Sequence, residues 1–278
     1  MHQKLIEREM STEVANVNRA ADDLLVEQCG ATLLITFNRP ASRNALTFAM
    51  YEGMARAIES AASSPSIKVV VLTGAGEKAF AAGTDISQFK AFASPQDAIA
   101  YEHSISKILA VLERCTVPTI AAVAGACTGG GFGIAACCDI RLCTSDAKFG
   151  VPIARTLGNC LSLSTHARLA DLLGIARVKD LLITSRLMDA TEMRWAGVVT
   201  EVLPDAQALR TRAMALAQQI AEQAPLSMRV TKESMLALQA PLDAKLEEEL
   251  FLKAYLSKDF AEGVAAFLEK RKAQWQGR

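Results

Sequence analysis

Val123-Ala124-Gly125-Ala126-Cys127-Thr128-Gly129-Gly130-Gly131-Phe132-Gly133-Ile134-Ala135, followed by Cys138-Asp139, reads as a buried strand, a run of glycines and the opening of a helix. Each glycine costs backbone entropy on folding, so three in succession before an apolar helix are poor choices for stability. They suit a place where a backbone N–H must come against a ligand atom with no Cβ in the way. A helix N-terminus supplies free N–H groups and a partial positive charge, matched to a developing oxyanion. No Asp or Glu stands between Gly125 and Cys138. The stretch offers a cradle for negative charge and no proton carrier of its own.

Outward from this stretch the chain alternates strands with helices, the pattern of an α/β domain. Ala31–Phe37 is a β-branched strand closed by the turn cluster Asn38-Arg39-Pro40. From Leu46 the apolar residues Met50, Met54, Ala57, Ile58 and Ala61 keep helical spacing. Lys68–Leu72 is a short apolar strand, as in a sheet covered on both faces. Residues 73–89 read as loop. Ser94-Pro95-Gln96-Asp97 carries an N-cap, a first-turn proline and an acid, opening a helix to about Arg114 on a stripe of Ile99, Ile105, Ile108, Leu109 and Leu112. Pro118–Ala124 and Cys138–Cys143 are further strands. Past about Leu203 the pattern is helical only, over 205–222, 225–239, 241–256 and 259–271. We therefore divide the chain into an N-terminal extension over 1–22, a core over 23–204 and a helical region over 205–278.

Composition narrows the function classes. The 278 residues are 51% hydrophobic, with 30 basic against 30 acidic side chains, so no basic face for nucleic acid or anionic lipid is expected. No run of about 18–20 apolar residues suggests a membrane span. The first 22 residues carry Glu7, Glu9, Glu13 and Asp22, unlike a transit peptide, and no apolar signal core, so a cytoplasmic location is expected. The seven cysteines form neither a CxxC nor a Cys/His cluster. They read as reduced, buried thiols, with no metal site.

Several motifs in order then make the chain resemble the crotonase (enoyl-CoA hydratase/isomerase) superfamily. They are Asn38-Arg39-Pro40 with Asn44-Ala45-Leu46, Ala79-Phe80-Ala81-Ala82-Gly83-Thr84-Asp85-Ile86, Pro118 to Gly125, and the glycine triplet with Cys138-Asp139. Ala147 to Pro152, Ala196-Gly197-Val198-Val199 and Glu262 to Arg271 complete the series. The resemblance implies a twisted β-spiral core of repeated ββα units and a C-terminal helical trimerisation region, assembled as a homotrimer or a dimer of trimers. It implies an acyl-CoA thioester as ligand, coenzyme A entering as part of the substrate and no other cofactor. Carried over by position, the backbone N–H groups of Thr84 and Gly130 form the oxyanion hole. Ala82 and Gly83 let their loop approach the ligand, Asp85 and Ile86 continue it, and Gly129 and Gly131 flank the second donor. Asp85 and Asp139 also read as loop-capping, structural carboxylates. Arg43, Phe267 and Lys270 match positions that touch the nucleotide end of coenzyme A. In the tail, Leu246, Leu250, Phe251, Tyr255, Phe260, Val264, Phe267 and Leu268 are candidate contacts with another subunit.

The chain also departs from the family. Hydration of an enoyl thioester needs a positioned water with an acid and a base, and the family's hydratases use two glutamates. Gly133 and Ile153 stand at those positions. The segment between Pro152 and Leu157-Gly158 is one residue longer than the hydratase pattern, and Lys148 to Ala170 holds no Asp or Glu. His103, on the helix that lines the acyl pocket in the family, and Arg155 are the remaining polar candidates. Cys160 and His166 read as structural. The aryl-CoA dehalogenase branch shares a glycine at 133 but places its nucleophile near Cys160, which is no carboxylate. Three functions follow as expectations: an enolate-stabilising hydratase/isomerase-type enzyme with weak hydration, a malonyl-type acyl-CoA decarboxylase, or a catalytically silent acyl-CoA binder.

Overall fold

Strands come in consecutive pairs, each followed by a helix. In a computed structural model, which describes residues 23–223, 225–237, 255–271, 273 and 274 with Glu248 and Leu252, β1 (Leu24–Cys29) and β2 (Thr32–Phe37) form an antiparallel hairpin ahead of α1 (Phe48–Ser63). Then follow β3 (Val69–Gly74), β4 (Ala79–Ala81) and α2 (Pro95–Glu113); β5 (Thr119–Val123), β6 (Ala126–Thr128) and α3 (Gly130–Cys137); and β7 (Ile140–Thr144), β8 (Lys148–Gly150) and α4 (Ile153–Thr156). The chain continues through α5 (Leu163–Leu173), α6 (Ile175–Thr184), β9 (Met188–Asp189), α7 (Ala190–Trp195), β10 (Glu201–Leu203), α8 (Ala206–Ala221), α9 (Pro225–Ala237) and α10 (Lys258–Leu268). The extension over 1–22, most of the helix expected over 241–256, and Leu246, Leu250 and Phe251 lie outside the described residues.

Both strands of the hairpin, the first strands of the later pairs (β3, β5 and β7) and β10 form a six-stranded sheet ordered β1-β2-β3-β5-β7-β10, parallel from β2 onward. The second strands of the later pairs, β4, β6 and β8, join β9 in a four-stranded sheet ordered β4-β6-β8-β9. Repetition of this ββα unit gives the α/β spiral. It also adds three strands that residues 73–89 and the segments after 124 and 144 had concealed, because three residues are too few to set up an alternation.

Burial on both faces explains the apolar strands. Along β3, Val70 and Leu72 enter the main core, while Val69 and Val71 face the other way onto Leu209, Ala213 and Ala217 of α8. The stretch called helical only thus begins with a helix that closes the large sheet. At the far end of the described chain, Tyr255 and Phe260 are buried with Phe89, Ala98 and Leu157, whereas Phe267 is exposed.

Helix ends are set by their caps. Ser94 and Asp97 make a capping box at the start of α2, with Pro95 in the first turn. At its other end Glu113 receives two parallel bonds, of 2.7 and 2.8 Å, from Arg168 on α5. α3 is apolar all round and lies inside the core. Its C-terminal carbonyls are met by the buried Arg141 guanidinium, which donates to the carbonyls of Ala135, Cys138 and Asp139 and to that of Val198. Asp139 caps differently, accepting from the Thr119 N–H and hydroxyl and pairing with Lys232 on α9. Of the cysteines, Cys29 is exposed and Cys160 half-buried; the other five are buried, and none forms a disulfide among the described residues. Burial pushes the Cys137 thiol up to about 12, as it does that of Cys160, away from thiolate chemistry.

Two predictions follow from this packing. A Cβ at Gly131 would overlap the Ala81 carbonyl oxygen, whereas one at Gly133 would stand 3.7 Å from Leu109 Cδ1. In urea unfolding, Gly131→Ala is expected to cost about 1–3 kcal/mol. Gly133→Ala is expected to be neutral or to gain up to about 1 kcal/mol. The second concerns Asp85, which accepts from Arg39 Nη1 at 2.9 Å and from the Ser87 hydroxyl at 2.7 Å. Partial burial opposes its charge, but the bonds from Ser87 and Arg39 outweigh it and hold the carboxyl below its ordinary value. Its stabilisation is therefore full above the ordinary Asp range, about pH 4, and fades as pH falls through the lowered value. Asp85→Asn is expected to lower stability most at neutral pH, with the gap to the parent closing in acid.

Candidate active site

The site begins where β4 and β6 end. These strands are parallel neighbours, with Ala79 opposite Ala126 and Ala81 opposite Cys127, so their C-terminal ends deliver residues 82–85 and 128–130 side by side. Ligand crevices form at such carboxyl ends in parallel sheets. The approach is close: a methyl on Gly83 would lie 3.9 Å from the Gly130 nitrogen, and one on Gly129 would lie 3.3 Å from Gly83 Cα. Gly129 itself has φ 54° and ψ −125°, a conformation essentially limited to glycine. Gly130 has a different reason to be glycine: a Cβ there would overlap the Tyr51 hydroxyl.

Two N–H groups are left over by this geometry. Leu46 bridges Thr84 in parallel fashion, its N–H donating to the Gly83 carbonyl and its carbonyl accepting from Asp85, both at 2.8 Å. In that pattern the intervening Thr84 N–H points away from the bridging strand. On the other loop the first bond of α3 runs from the Gly133 N–H to the Gly129 carbonyl, which leaves the Gly130 N–H outside the helical ladder. The first loop is anchored by Asn44, fully buried at φ 55°, whose amide donates to the carbonyls of Ala75 and Ala79 and accepts from the Arg39 N–H. Arg39 in turn reaches Asp85, and the Ala82 N–H donates to the Arg43 carbonyl.

Around the two N–H groups stands a layer of hydroxyls that sequence reasoning did not single out. Thr84 Oγ1 lies 3.0 Å from the Tyr51 hydroxyl and 3.1 Å from that of Tyr101. Burial, with the charge of nearby Glu102 adding, pushes both phenols above their ordinary value, so they stay protonated at neutral pH. The phenols also border a cavity of about 280 Å³ between α1, the turn over 86–91 and α2, lined further by Phe48, Gln88, Phe92 and Ile105.

α2 presents Glu102, at 6% exposure, to the interior, whereas His103 is exposed and lies 3.7 Å from Glu248. Glu102 accepts a hydrogen bond from the Tyr255 phenol, which itself accepts from Asn159 Nδ2 at 3.3 Å. Glu102 continues the helix's inner stripe with Leu109 and Leu112, and an acid inside an apolar stripe was a signal available in the sequence.

Other sequence-selected residues lie around this cluster or outside it. Arg155 is exposed on α4, and its side chain makes no hydrogen bond or ion pair among the described residues. Ile153, at the start of α4, packs partly buried against the main core, and Gly133 is buried in α3 facing Leu109. Ile86 is half-buried beside the aromatic cluster of Phe89 and Phe260. Arg43 is exposed at φ 51°; Phe267 is half-exposed, and Lys270, at φ 55°, is exposed just past α10. Among the described residues no group of three His, Cys, Asp or Glu could hold a metal ion, and no helix is long and apolar enough to cross a membrane.

Comparison with known proteins agrees with this architecture. A family model described as enoyl-CoA hydratase/isomerase matches residues 27–278. Enoyl-CoA hydratase EchA19 of Mycobacterium tuberculosis is 36% identical over 264 residues, covering 92% of this chain and 97% of that protein. The crystal structure of an enoyl-CoA hydratase/carnithine racemase from Magnetospirillum magneticum superposes with a TM-score of 0.75 at 37% identity, over 93% of this chain and 97% of that one. A methylmalonyl-CoA decarboxylase in complex with 2-nitronate-propionyl-CoA superposes with a TM-score of 0.83 at 26% identity, over 93% of this chain and 100% of that one. The Thr84 and Gly130 N–H groups at the ends of β4 and β6, without a hydrogen-bond acceptor among the described residues, thus sit in a chain that belongs to the enoyl-CoA hydratase/isomerase family.

Proposed function

We propose that this protein binds an acyl-CoA thioester and stabilises its enolate between the Thr84 and Gly130 N–H groups. The observation that carries the reading is the side-by-side delivery of these two donors by parallel strands. Two donors aimed at one thioester oxygen stabilise the negative charge that appears there when a bond to the α-carbon gives up its electron pair. The Tyr51 and Tyr101 phenols fix the Thr84 side chain and so the loop. The exposed Arg43, Phe267 and Lys270 serve the nucleotide end of coenzyme A, an Arg or Lys against phosphate being sound chemistry. The half-exposed Phe267 also fits assembly as a homotrimer or dimer of trimers, and we assign the protein to the cytoplasm.

Ordinary hydration is weak in this reading. Gly133 and Ile153 offer no acid or base for a water molecule. General acid–base groups contribute about 10²–10⁴-fold each, so crotonyl-CoA hydration is expected to run about 10²-fold or more below that of enoyl-CoA hydratase EchA19 assayed alongside. Loss of the enoyl absorbance measures it. Equal rates in the two proteins would contradict the reading.

A second reading, decarboxylation of a malonyl-type acyl-CoA, is favoured by the close superposition on methylmalonyl-CoA decarboxylase. That reaction needs the enolate cradle and no general base. It draws on Arg155 to receive the second carboxylate, against which stands the exposure of that side chain. Release of carbon dioxide from methylmalonyl-CoA, abolished by Arg155→Ala, would establish it. Tight acyl-CoA binding in calorimetry with no turnover of any ester would instead mark a silent binder.

A further inference from the structure

We propose that Glu102 is the proton carrier of this site, supplying from α2 the carboxylate that positions 133 and 153 lack. The inference rests on the enolate reading above and adds the missing half of its chemistry.

Five observations lead to it. Glu102 is a carboxylate at 6% exposure on the inner face of α2, one of the least frequent places for an acid unless it is held for a purpose. On that same face, two turns on, Leu109 is the side chain nearest to a Cβ built on Gly133, so the stripe that carries Glu102 runs past the vacated glutamate position. The carboxylate is also held in place: the Tyr255 phenol donates to it and is itself fixed by Asn159. Two buried polar atoms nearby have no hydrogen-bond partner among the described residues. They are Asn159 Oδ1 and Ser106 Oγ, the latter one helical turn from Glu102. Orphaned buried polar atoms call for a guest that can bond to them, a water molecule or a polar group of a ligand. The Tyr255 ring whose phenol donates to Glu102 lies 6.3 Å from the Tyr101 ring, centroid to centroid, and the Tyr101 hydroxyl is 3.1 Å from Thr84 Oγ1, so two phenols link the carboxylate to the loop that carries the Thr84 N–H.

The chemistry balances with one carboxylate. Ionised Glu102 takes a proton from the acyl α-carbon. The C–H electron pair moves into the bond between the α-carbon and the carbonyl carbon, and the carbonyl π pair moves onto the thioester oxygen, held by the Thr84 and Gly130 N–H groups. Return of the proton to the α-carbon is exchange. Where the substrate has a β,γ double bond, return of the proton to the γ-carbon shifts that bond to the α,β position. Neither route consumes water, oxidant or a second acid. This separates the reaction from hydration, which needs the two carboxylates that are missing.

The test is exchange of the α-protons of butyryl-CoA in deuterium oxide, followed by mass spectrometry, with calorimetric binding of the same ester as a parallel readout. The parent protein is expected to incorporate deuterium. Glu102→Gln is expected to bind butyryl-CoA as the parent does and to exchange about 10²-fold more slowly or worse. Glu102→Asp, which keeps the charge but draws it back by one methylene, is expected to fall between them and serves if the glutamine variant does not fold. Exchange at the parent rate in whichever variant folds overturns the role of Glu102 and leaves the enolate reading standing. A parent protein that binds the ester without any exchange overturns the enolate reading, and the role of Glu102 falls with it.

Discussion

Two glycine backbones that pass in contact, Gly83 after β4 and Gly129–Gly130 after β6, set the terms for the rest of the molecule. Parallel pairing of β4 with β6 brings them together, so closely that a methyl on Gly129 would lie 3.3 Å from Gly83 Cα. What surrounds them holds that approach. Gly131 lets α3 come down on the Ala81 carbonyl, Arg141 secures the other end of α3, and Asn44 with the Arg39–Asp85 pair ties the first loop to its neighbours. A change in any of these shifts one N–H group relative to the other. An oxyanion site depends on that spacing to a fraction of an ångström.

Sequence reading recovered those parts of the fold that have a period. The long helices α1, α2 and α8 and the apolar strands β3 and β5 occupy nearly the residues their patterns assign, because burial on defined faces imposes a spacing over many residues. β4, β6 and β8 escaped, each of three residues, and with them the second sheet that carries both loops of the site. β1 escaped because only Leu24 of its six residues is buried, as on an edge strand.

The site divides in the same way. The Ala-Gly-Thr and Gly-Gly-Gly segments announce close backbone approach, and the structure brings them together. The hydroxyls of Tyr51 and Tyr101 were hidden, since a tyrosine in an amphipathic helix looks like any other core residue until its partner is known. Between His103 and Glu102 the outcome turned on helical phase: one residue is a rotation of about 100°, enough to exchange the solvent for the interior. The apolar stripe already holding Ile105 and Leu109 marks Glu102 as the inward residue. Arg155 lay beyond such reasoning, because a four-residue helix has too little periodicity to tell its faces apart.

Enolate stabilisation at this site requires the Thr84 and Gly130 N–H groups to grip a thioester oxygen. Infrared spectroscopy of butyryl-CoA carrying an isotope-labelled thioester carbonyl reads this directly, because donors at the oxygen weaken the carbon–oxygen bond in proportion to their strength. The carbonyl stretch is expected at lower wavenumber on the protein than in water, where the oxygen already has ordinary hydrogen bonds. A stretch at or above its value in water would contradict it.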